Sequence, residues 1–207
     1  MIRRTALVLA VFAVAGCDSA GPLDLQPAPL IPLDVGAEWV FDSERTLGAP
    51  RAASVDTLRV VAETTREGVR WAEMRGSSQR LDVCLGGYYA LIDGDVWYTH
   101  DFDEAEPYRL FAREDAYTVA NAKYDADVTL DRSGDLFAYA FDFRRVRNTF
   151  IPDGLPVLEG APAAIRTLRE GTGFDRYDQP LVGSSGSDSL RIAVVDRFTR
   201  RAFVPAE

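Results

Sequence analysis

The chain has 207 residues, of which 47% are hydrophobic, so it is long enough and apolar enough to bury a core in one domain. Its formal net charge of −9 excludes a general nucleic-acid binder, because an acidic surface repels the phosphate backbone. No stretch reaches the roughly eighteen consecutive apolar residues that a membrane-spanning helix needs.

The first residues are typical of a secretory leader. Arg3 and Arg4 provide positive charge, and residues 6–15 form an apolar run of ten residues. That run is too short to cross a bilayer as a stable anchor, but it has the length of the apolar region of a signal peptide. An ordinary leader, cleaved at the Ala-x-Ala site of residues 13–15, is one interpretation of this segment.

A cysteine follows the apolar run in register with small residues, as Val14-Ala15-Gly16-Cys17. This tetrad resembles the lipobox of bacterial lipoproteins. The resemblance implies that residues 1–16 are a lipoprotein signal peptide, and that Cys17 carries a diacylglycerol and an acylated amino terminus after cleavage. Two or three acyl chains on one residue anchor a protein stably, where one chain would be marginal. We favour this interpretation because charge, apolar length, small residues and cysteine coincide.

The stretch that begins at the cysteine, residues 17–33, contains four prolines and no hydrophobic periodicity. Prolines keep a linker extended, so we expect a tether that holds the domain away from the bilayer. Asp18 resembles the inner-membrane retention residue of lipoproteins in enteric bacteria. The expected location is the bacterial cell envelope, with lipid anchoring through Cys17 and with the choice between inner and outer membrane left open.

We expect a single β-rich domain over residues 34–207. It opens with Gly36, Trp39 and Phe41 in the order Pro-Leu-x-Val-Gly-x-x-Trp-x-Phe, which resembles the opening of many uncharacterised, β-rich envelope lipoproteins. The glycine permits a tight turn into the first strand, and the tryptophan is expected to close one end of a sheet.

Alternating apolar and polar residues predict antiparallel strands in the first half of this domain. The segments TLRVVAE and VRWAEM are joined by a TREG turn. The next segment, YYALIDGDVWYTH, places Asp93 and Gly94 between two aromatic and β-branched runs. This is a strong signal for a hairpin with a type I′ turn, and in that register Tyr89 faces Tyr98.

The clearest strand is DLFAYAFDFRRV, in which every second residue is aromatic. Period two places these aromatic residues on one face of a sheet: Phe137, Tyr139, Phe141 and Phe143. We expect this strand to pair through the DRSGD turn with the alternating segment YDADVTL. A late strand, SLRIAVVDRF, follows the flexible GSSGSDS loop.

Two segments carry helical signals. EDAYTVANAKY, residues 114–124, and APAAIRTLREG, residues 161–171, could each hold a short helix, the second with Pro162 in its first turn and Gly171 after its end. The predicted fold class is therefore mainly β: an antiparallel sheet that forms a half-barrel, small barrel or sandwich, with one or two short helices.

Few residues suit catalysis. His100 is the only histidine, and a lone histidine at a hairpin end is more often a surface residue than a general base. Cys84 lies in LDVCLGG, where we expect a small buried residue in a strand rather than a nucleophile. Zinc sites need several histidine or cysteine ligands, which the sequence does not offer. We therefore predict no metal site, and we also assign no catalytic residue and no cofactor.

Acidic residues concentrate in two segments, DFDEAE and YDADVTLDRSGD. Carboxylate-rich loops suit Ca²⁺, although the spacing does not match an EF-hand, and paired carboxylates could also support glycoside hydrolysis. A solvated acidic surface is the simpler interpretation at this net charge.

The aromatic stripe, residues 137–143, is the feature that bears most directly on function. We favour a core role, and the alternative is a face of Phe137, Tyr139, Phe141 and Phe143 that binds an apolar ligand. The leading hypothesis is a membrane-anchored, non-catalytic envelope lipoprotein that binds an envelope protein, or a lipid or other apolar ligand. The alternative is an anchored hydrolase that uses carboxylates.

Overall fold

The computed structural model describes residues 27–45, 53–103, 105–121, 123–148, 151–156, 163–184 and 190–207. The signal peptide, the lipobox and Cys17 lie outside the described residues, so their assignment stays a prediction. No helix among the described residues combines the length and apolar character needed to cross a membrane.

The described chain forms one antiparallel sheet and one helix. In chain order these are β1 (Glu38–Arg45), β2 (Ser54–Arg66), β3 (Val69–Gly76), α1 (Gln79–Leu85), β4 (Gly87–Ile92), β5 (Asp95–Thr99), β6 (Tyr108–Phe111), β7 (Ala116–Ala120), β8 (Tyr124–Ser133), β9 (Leu136–Asn148), β10 (Ile151–Pro156), β11 (Ala164–Arg169), β12 (Gly173–Ser184) and β13 (Leu190–Val204).

The strands follow one continuous path, β6-β5-β4-β3-β2-β1-β13-β12-β11-β9-β8-β7, and β10 pairs with β9 outside it. The two ends of the path, β6 and β7, approach each other, so the sheet curves into a nearly closed, barrel-shaped structure. The predicted fold class, mainly β with an antiparallel sheet, is confirmed.

Local turn chemistry sets the hairpins. Asp93 and Gly94 both have positive φ, 54° and 86°, as a type I′ turn requires, and Tyr89 pairs with Tyr98 as predicted. The TREG turn has the same character, with φ of 51° at Glu67 and 80° at Gly68. These short turns fix the β2–β3 and β4–β5 pairs without help from distant parts of the chain, and α1 connects the two hairpins.

The aromatic strand is β9, and it pairs with β8 as expected. The four aromatic side chains of the stripe are each at most 5% exposed, and they belong to the main hydrophobic core. Period two therefore turns one whole face of β9 toward the interior of the curved sheet, as the alternation predicts.

Both predicted helices are wrong. Residues 114–124 contain β7 and the start of β8, and residues 161–171 contain β11, which pairs with both β9 and β12. In β7 only Tyr117 and Val119 are buried, which is the period of a strand. The ladder hydrogen bonds that these segments gain between neighbouring strands outweigh their local helical tendency.

The helix that the structure describes is α1, and it contains Cys84, which we expected in a strand. Ser78 caps it by accepting a hydrogen bond from the Leu81 backbone N–H at 3.2 Å. Leu81 and Leu85, four residues apart, are buried on one face. The cap and this spacing favour a helix over the strand that the short apolar run suggested.

The last residues of the predicted tether are part of the folded body. Leu30 and Ile31 are fully buried, and the Pro29 carbonyl accepts a hydrogen bond from the Gly171 N–H at 2.8 Å. We call residues 28–33 the amino-terminal plug. The folded region therefore begins upstream of the expected boundary at residue 34, because this apolar segment covers core side chains that water would otherwise reach.

The plug lies beside Trp39, the tryptophan that we expected to close one end of the sheet. Trp39 is fully buried, and its indole N–H donates to the Thr172 carbonyl at 2.7 Å. Gly173 has a φ of 73°, and a Cβ added there would lie 3.1 Å from the Trp39 ring and 3.3 Å from Ile31. We call this the plug end of the barrel; the other end of β1 faces α1, and we call it the helix end.

Candidate functional site

An arginine lies on the interior face of the curved sheet. Arg166 of β11 pairs with Tyr139 of β9 and with Tyr177 of β12, and it is only 4% exposed. Directly opposite residues in an antiparallel pair share a face, so this arginine points to the same side as the aromatic stripe. A charged group therefore stands in the apolar wall of the barrel.

The guanidinium of Arg166 is held between two aromatic rings. Its Cζ lies 4.1 Å from the ring centroid of Phe141 and 4.6 Å from that of Tyr177. Such contacts attract a cation to the face of a ring, and they leave the edge of the guanidinium uncovered by the rings. The hydroxyls of Tyr124 and Tyr177 interact with this edge as hydrogen-bond partners.

Arg166 has no acidic partner in the described part of the chain. Its Nε is buried and makes no hydrogen bond, and none of the ion pairs among the described residues includes it. Burying an unpaired charge is costly, so folded proteins normally provide a counter-ion. Among the described residues, the arrangement therefore lacks one negative charge.

The surrounding tyrosines do not supply that charge. Burial raises the pKa of Tyr98, Tyr108 and Tyr177 above the usual value of 10.0, so their hydroxyls are neutral at physiological pH. Burial by itself lowers the pKa of Arg166, but the neighbouring tyrosines outweigh it and the pKa is raised. The site is a permanent cation among neutral hydroxyls.

Several strands contribute to this group of side chains. The Tyr108 hydroxyl of β6 lies 3.5 Å from the Tyr124 hydroxyl of β8, and the Tyr98 hydroxyl of β5 donates to the Gly86 carbonyl at 3.0 Å. We use the name Arg166 cluster for one set of residues: Arg166, Phe141, Tyr108, Tyr124 and Tyr177. The cluster brings together β6, the β8–β9 hairpin and the β11–β12 hairpin.

The cluster lies beside the seam of the barrel. No backbone ladder joins β6 to β7 in the described chain. Side chains bridge them instead: the Tyr117 hydroxyl donates to the Leu110 carbonyl at 2.8 Å, and Arg109 lies over the Tyr117 ring at 5.3 Å. Among the described residues, this seam is therefore joined by side-chain contacts in place of a backbone ladder.

A second polar group, at the helix end, consists of ion pairs. Arg80 of α1 lies 3.1 Å from a carboxylate oxygen of Asp196 and 3.6 Å from one of Asp56, and both aspartates are buried. The Ser43 hydroxyl donates to Asp56. Burial by itself would raise the pKa of Asp56, but the serine hydroxyls and Arg80 outweigh it, so the pKa lies below the usual 3.8.

This ion-pair group bears on the hydrolase alternative. A general acid needs a carboxyl whose pKa is raised toward neutrality. Asp56 has the opposite shift, and Asp196 is paired with an arginine. These buried carboxylates are arranged to fasten α1 to the sheet rather than to transfer protons.

Asp56→Asn should remove stability at neutral pH and much less at acid pH. The folded pKa of Asp56 is lower than 3.8, so its stabilising effect is complete above the unfolded value and disappears as the pH falls through the folded value. Thermal melts at about pH 7 and about pH 2 measure this. Asp42→Asn, at an exposed position, is the control, and equal losses at both pH values would contradict the assignment.

The cysteine and histidine are poorly placed for catalysis. Burial raises the pKa of the Cys84 thiol to about 12, so it is not a thiolate at neutral pH. The Nδ1 of His100 lies 3.4 Å from both the Tyr98 hydroxyl and the Gly86 carbonyl. Within the described residues, its ring makes no hydrogen bond to a carboxylate, so a catalytic triad is not assembled around it.

The acidic segments are spread over the surface. Asp127 pairs with Arg144 at 3.2 Å, and Asp135 pairs with Arg169 at 2.7 Å. Among the residues that the structure describes, no three histidine, cysteine, aspartate or glutamate side chains come together as metal ligands. Glu104, one of the residues of DFDEAE, lies outside the described residues.

Sequence reasoning missed Arg166 because residues 161–171 were interpreted as a helix. A signal was present: Ala164, Arg166 and Leu168 form an alternating row, and all three are buried. An arginine in the apolar row of a strand indicates a charge that faces a core. The members of the cluster from other strands become neighbours only through the curvature of the sheet.

Comparisons with known proteins provide little more. No protein-family model matches the chain, and no curated protein matches its sequence. A solved structure described as a candidate lipoprotein from Parabacteroides distasonis ATCC 8503 is similar at a TM-score of 0.36 and 10% identity, covering 86% of this chain and 100% of that one. This coarse likeness assigns neither a family nor a function to the chain.

Proposed function

We propose that the protein is a lipid-anchored envelope protein that binds, without catalysis, a small and partly apolar ligand inside its barrel-shaped sheet. The observation that carries this proposal is the buried Arg166, which faces the interior without an acidic partner among the described residues. A core that serves only packing gains nothing from such a group, since an apolar side chain of similar size would cost less.

The aromatic stripe divides into two halves that suit this function. Toward the plug end, Tyr139 is fixed by a hydrogen bond to the Ala112 carbonyl at 3.0 Å and by Phe111 at 4.9 Å between ring centroids. Toward the helix end, Phe141 and Phe143 lie against Arg166 and Tyr124. We assign packing to the first half and support of the Arg166 guanidinium to the second.

The anchor rests on the resemblance of residues 14–17 to a lipobox. Cys17 is ten residues upstream of Pro27, a stretch that spans at most about 35 Å when fully extended. The plug then holds the chain against the barrel, so the plug end would face the membrane. The helix end and the Arg166 cluster would face away from the bilayer.

The test is to isolate the full-length protein from membranes under mild conditions and to measure the mass of the intact complex by native mass spectrometry. We expect a processed, acylated form with a small apolar molecule bound non-covalently. Cys17→Ser is the matched control for the anchor: it should appear in the soluble fraction or remain an uncleaved precursor. A Cys17→Ser protein that still partitions into detergent as a processed form would contradict the anchor. A wild-type protein that retains only a partner protein would contradict the interior ligand.

A further inference from the structure

We infer that Arg166 selects ligands that carry a single carboxylate, so the interior takes an apolar carboxylic acid with its head group on the guanidinium. This inference rests on the proposed function, because it names the class of ligand for the same site. It adds a polarity to the site: the charged head is directed at Arg166 of β11, and the apolar part passes the half-buried rings of Tyr108 and Tyr124.

The geometry of the guanidinium favours a carboxylate. Phe141 and Tyr177 cover the ring-facing sides of the Arg166 side chain, so a ligand approaches its edge. That edge includes the buried Nε, which has no hydrogen-bond partner. A carboxylate matches the edge of a guanidinium with two parallel hydrogen bonds, and such charge-assisted pairs are the strong ones.

The hydroxyls of the cluster complete the recognition. A tyrosine hydroxyl both accepts and donates, so Tyr124 can accept from Arg166 and still donate to a ligand oxygen. Tyr108 shares a hydrogen bond with Tyr124 at 3.5 Å, oxygen to oxygen, so the pair keeps one hydroxyl proton for a ligand oxygen. Because burial raises the pKa of Tyr108, this hydroxyl keeps its proton at neutral pH and remains a donor.

The charge balance favours one negative charge over two. Arg166 is the one cation at the centre of the cluster, and the surrounding side chains are neutral phenols and rings. A carboxylate neutralises that cation. A phosphate dianion would leave a net negative charge in an apolar wall, which is costly. The apolar surroundings also favour a ligand whose remaining part is a hydrocarbon, rather than a small hydrated anion.

The experiment compares two probes that differ only in the head group: palmitate, and the alcohol with the same chain length. The processed lipoprotein is held in an amphipathic polymer and exchanged against albumin to remove non-covalent ligand. We expect the wild type to bind palmitate at least about thirtyfold more tightly than the alcohol, as for a buried charge pair. Arg166→Met should bind the two probes equally, and Arg166→Lys should fall between them because it keeps the charge and loses the fork.

Two controls keep the outcomes distinct. Arg166→Met removes an unpaired buried charge, so the ligand-free variant should melt no lower than the wild type, and its loss of discrimination is not a failure to fold. Leu91→Ala, at a position 37% exposed on β4 and outside the Arg166 cluster, should retain the full discrimination. Equal binding of both probes by the wild type would overturn this inference and leave the proposed function standing. Binding of neither probe would overturn both. If acetate binds as tightly as palmitate, the inference that the ligand has an apolar part is overturned.

Discussion

Leu30→Ala combined with Ile31→Ala should unfold much of the barrel at physiological temperature. Both side chains are fully buried in the plug. Each truncation costs about 2–5 kcal/mol, and a domain of this size is stable by only about 5–15 kcal/mol in total. The two residues are neighbours, so the losses are not strictly additive, but together they approach the whole free energy of unfolding. Chemical denaturation of the single and double variants measures the loss.

The matched control is Val35→Ala, because Val35 lies just after the plug and is 49% exposed. It should change the unfolding free energy by at most about 0.5 kcal/mol. The same experiment tests where the folded body begins, since a chain that starts at residue 34 should behave like the double variant. A double variant that unfolds like the Val35→Ala protein would show that residues 28–33 are a tether after all.

Phe141→Ala should lower the free energy of unfolding by about 3–5 kcal/mol. For a chain of this length, that is a drop in melting temperature of roughly 6–20 °C. Phe141 is fully buried, lies 6.2 Å from Phe111 between ring centroids, and supports the guanidinium of Arg166. The loss has three causes: reduced burial, a cavity, and the removal of one of the two aromatic rings that contact the Arg166 guanidinium.

Two further variants separate these causes. Phe141→Leu keeps most of the buried apolar area but loses the ring face under Arg166, so it should cost less stability while weakening palmitate binding. Leu91→Ala, at a position 37% exposed on β4, is the surface control. If Phe141→Ala melts like the wild type but loses a bound lipid, the space beside β9 is a ligand cavity rather than core, and the whole stripe becomes the binding face.

The hairpins were predictable because the information that forms them is local. Asp93-Gly94 and Glu67-Gly68 need positive φ at adjacent residues, and few residue types tolerate it. The alternation of β9 fixes which of its side chains share a face, whatever the sheet does beyond it. The helices predicted for residues 114–124 and 161–171 do not form. Hydrogen bonding of these segments to neighbouring strands outweighs their local helical propensity.

By itself the sequence determined the fold class, the paired strands β8 and β9 and the side chains that face the core, because turns and period-two alternation act over a few residues. Tertiary structure alone decided that residues 28–33 close one end of the barrel, since burial depends on what covers them. It also decided that Arg166 meets Tyr124 and lies in the electrostatic range of Tyr108. Each of these tyrosines is more than forty positions from Arg166, and only the curvature of the sheet brings their strands around one interior.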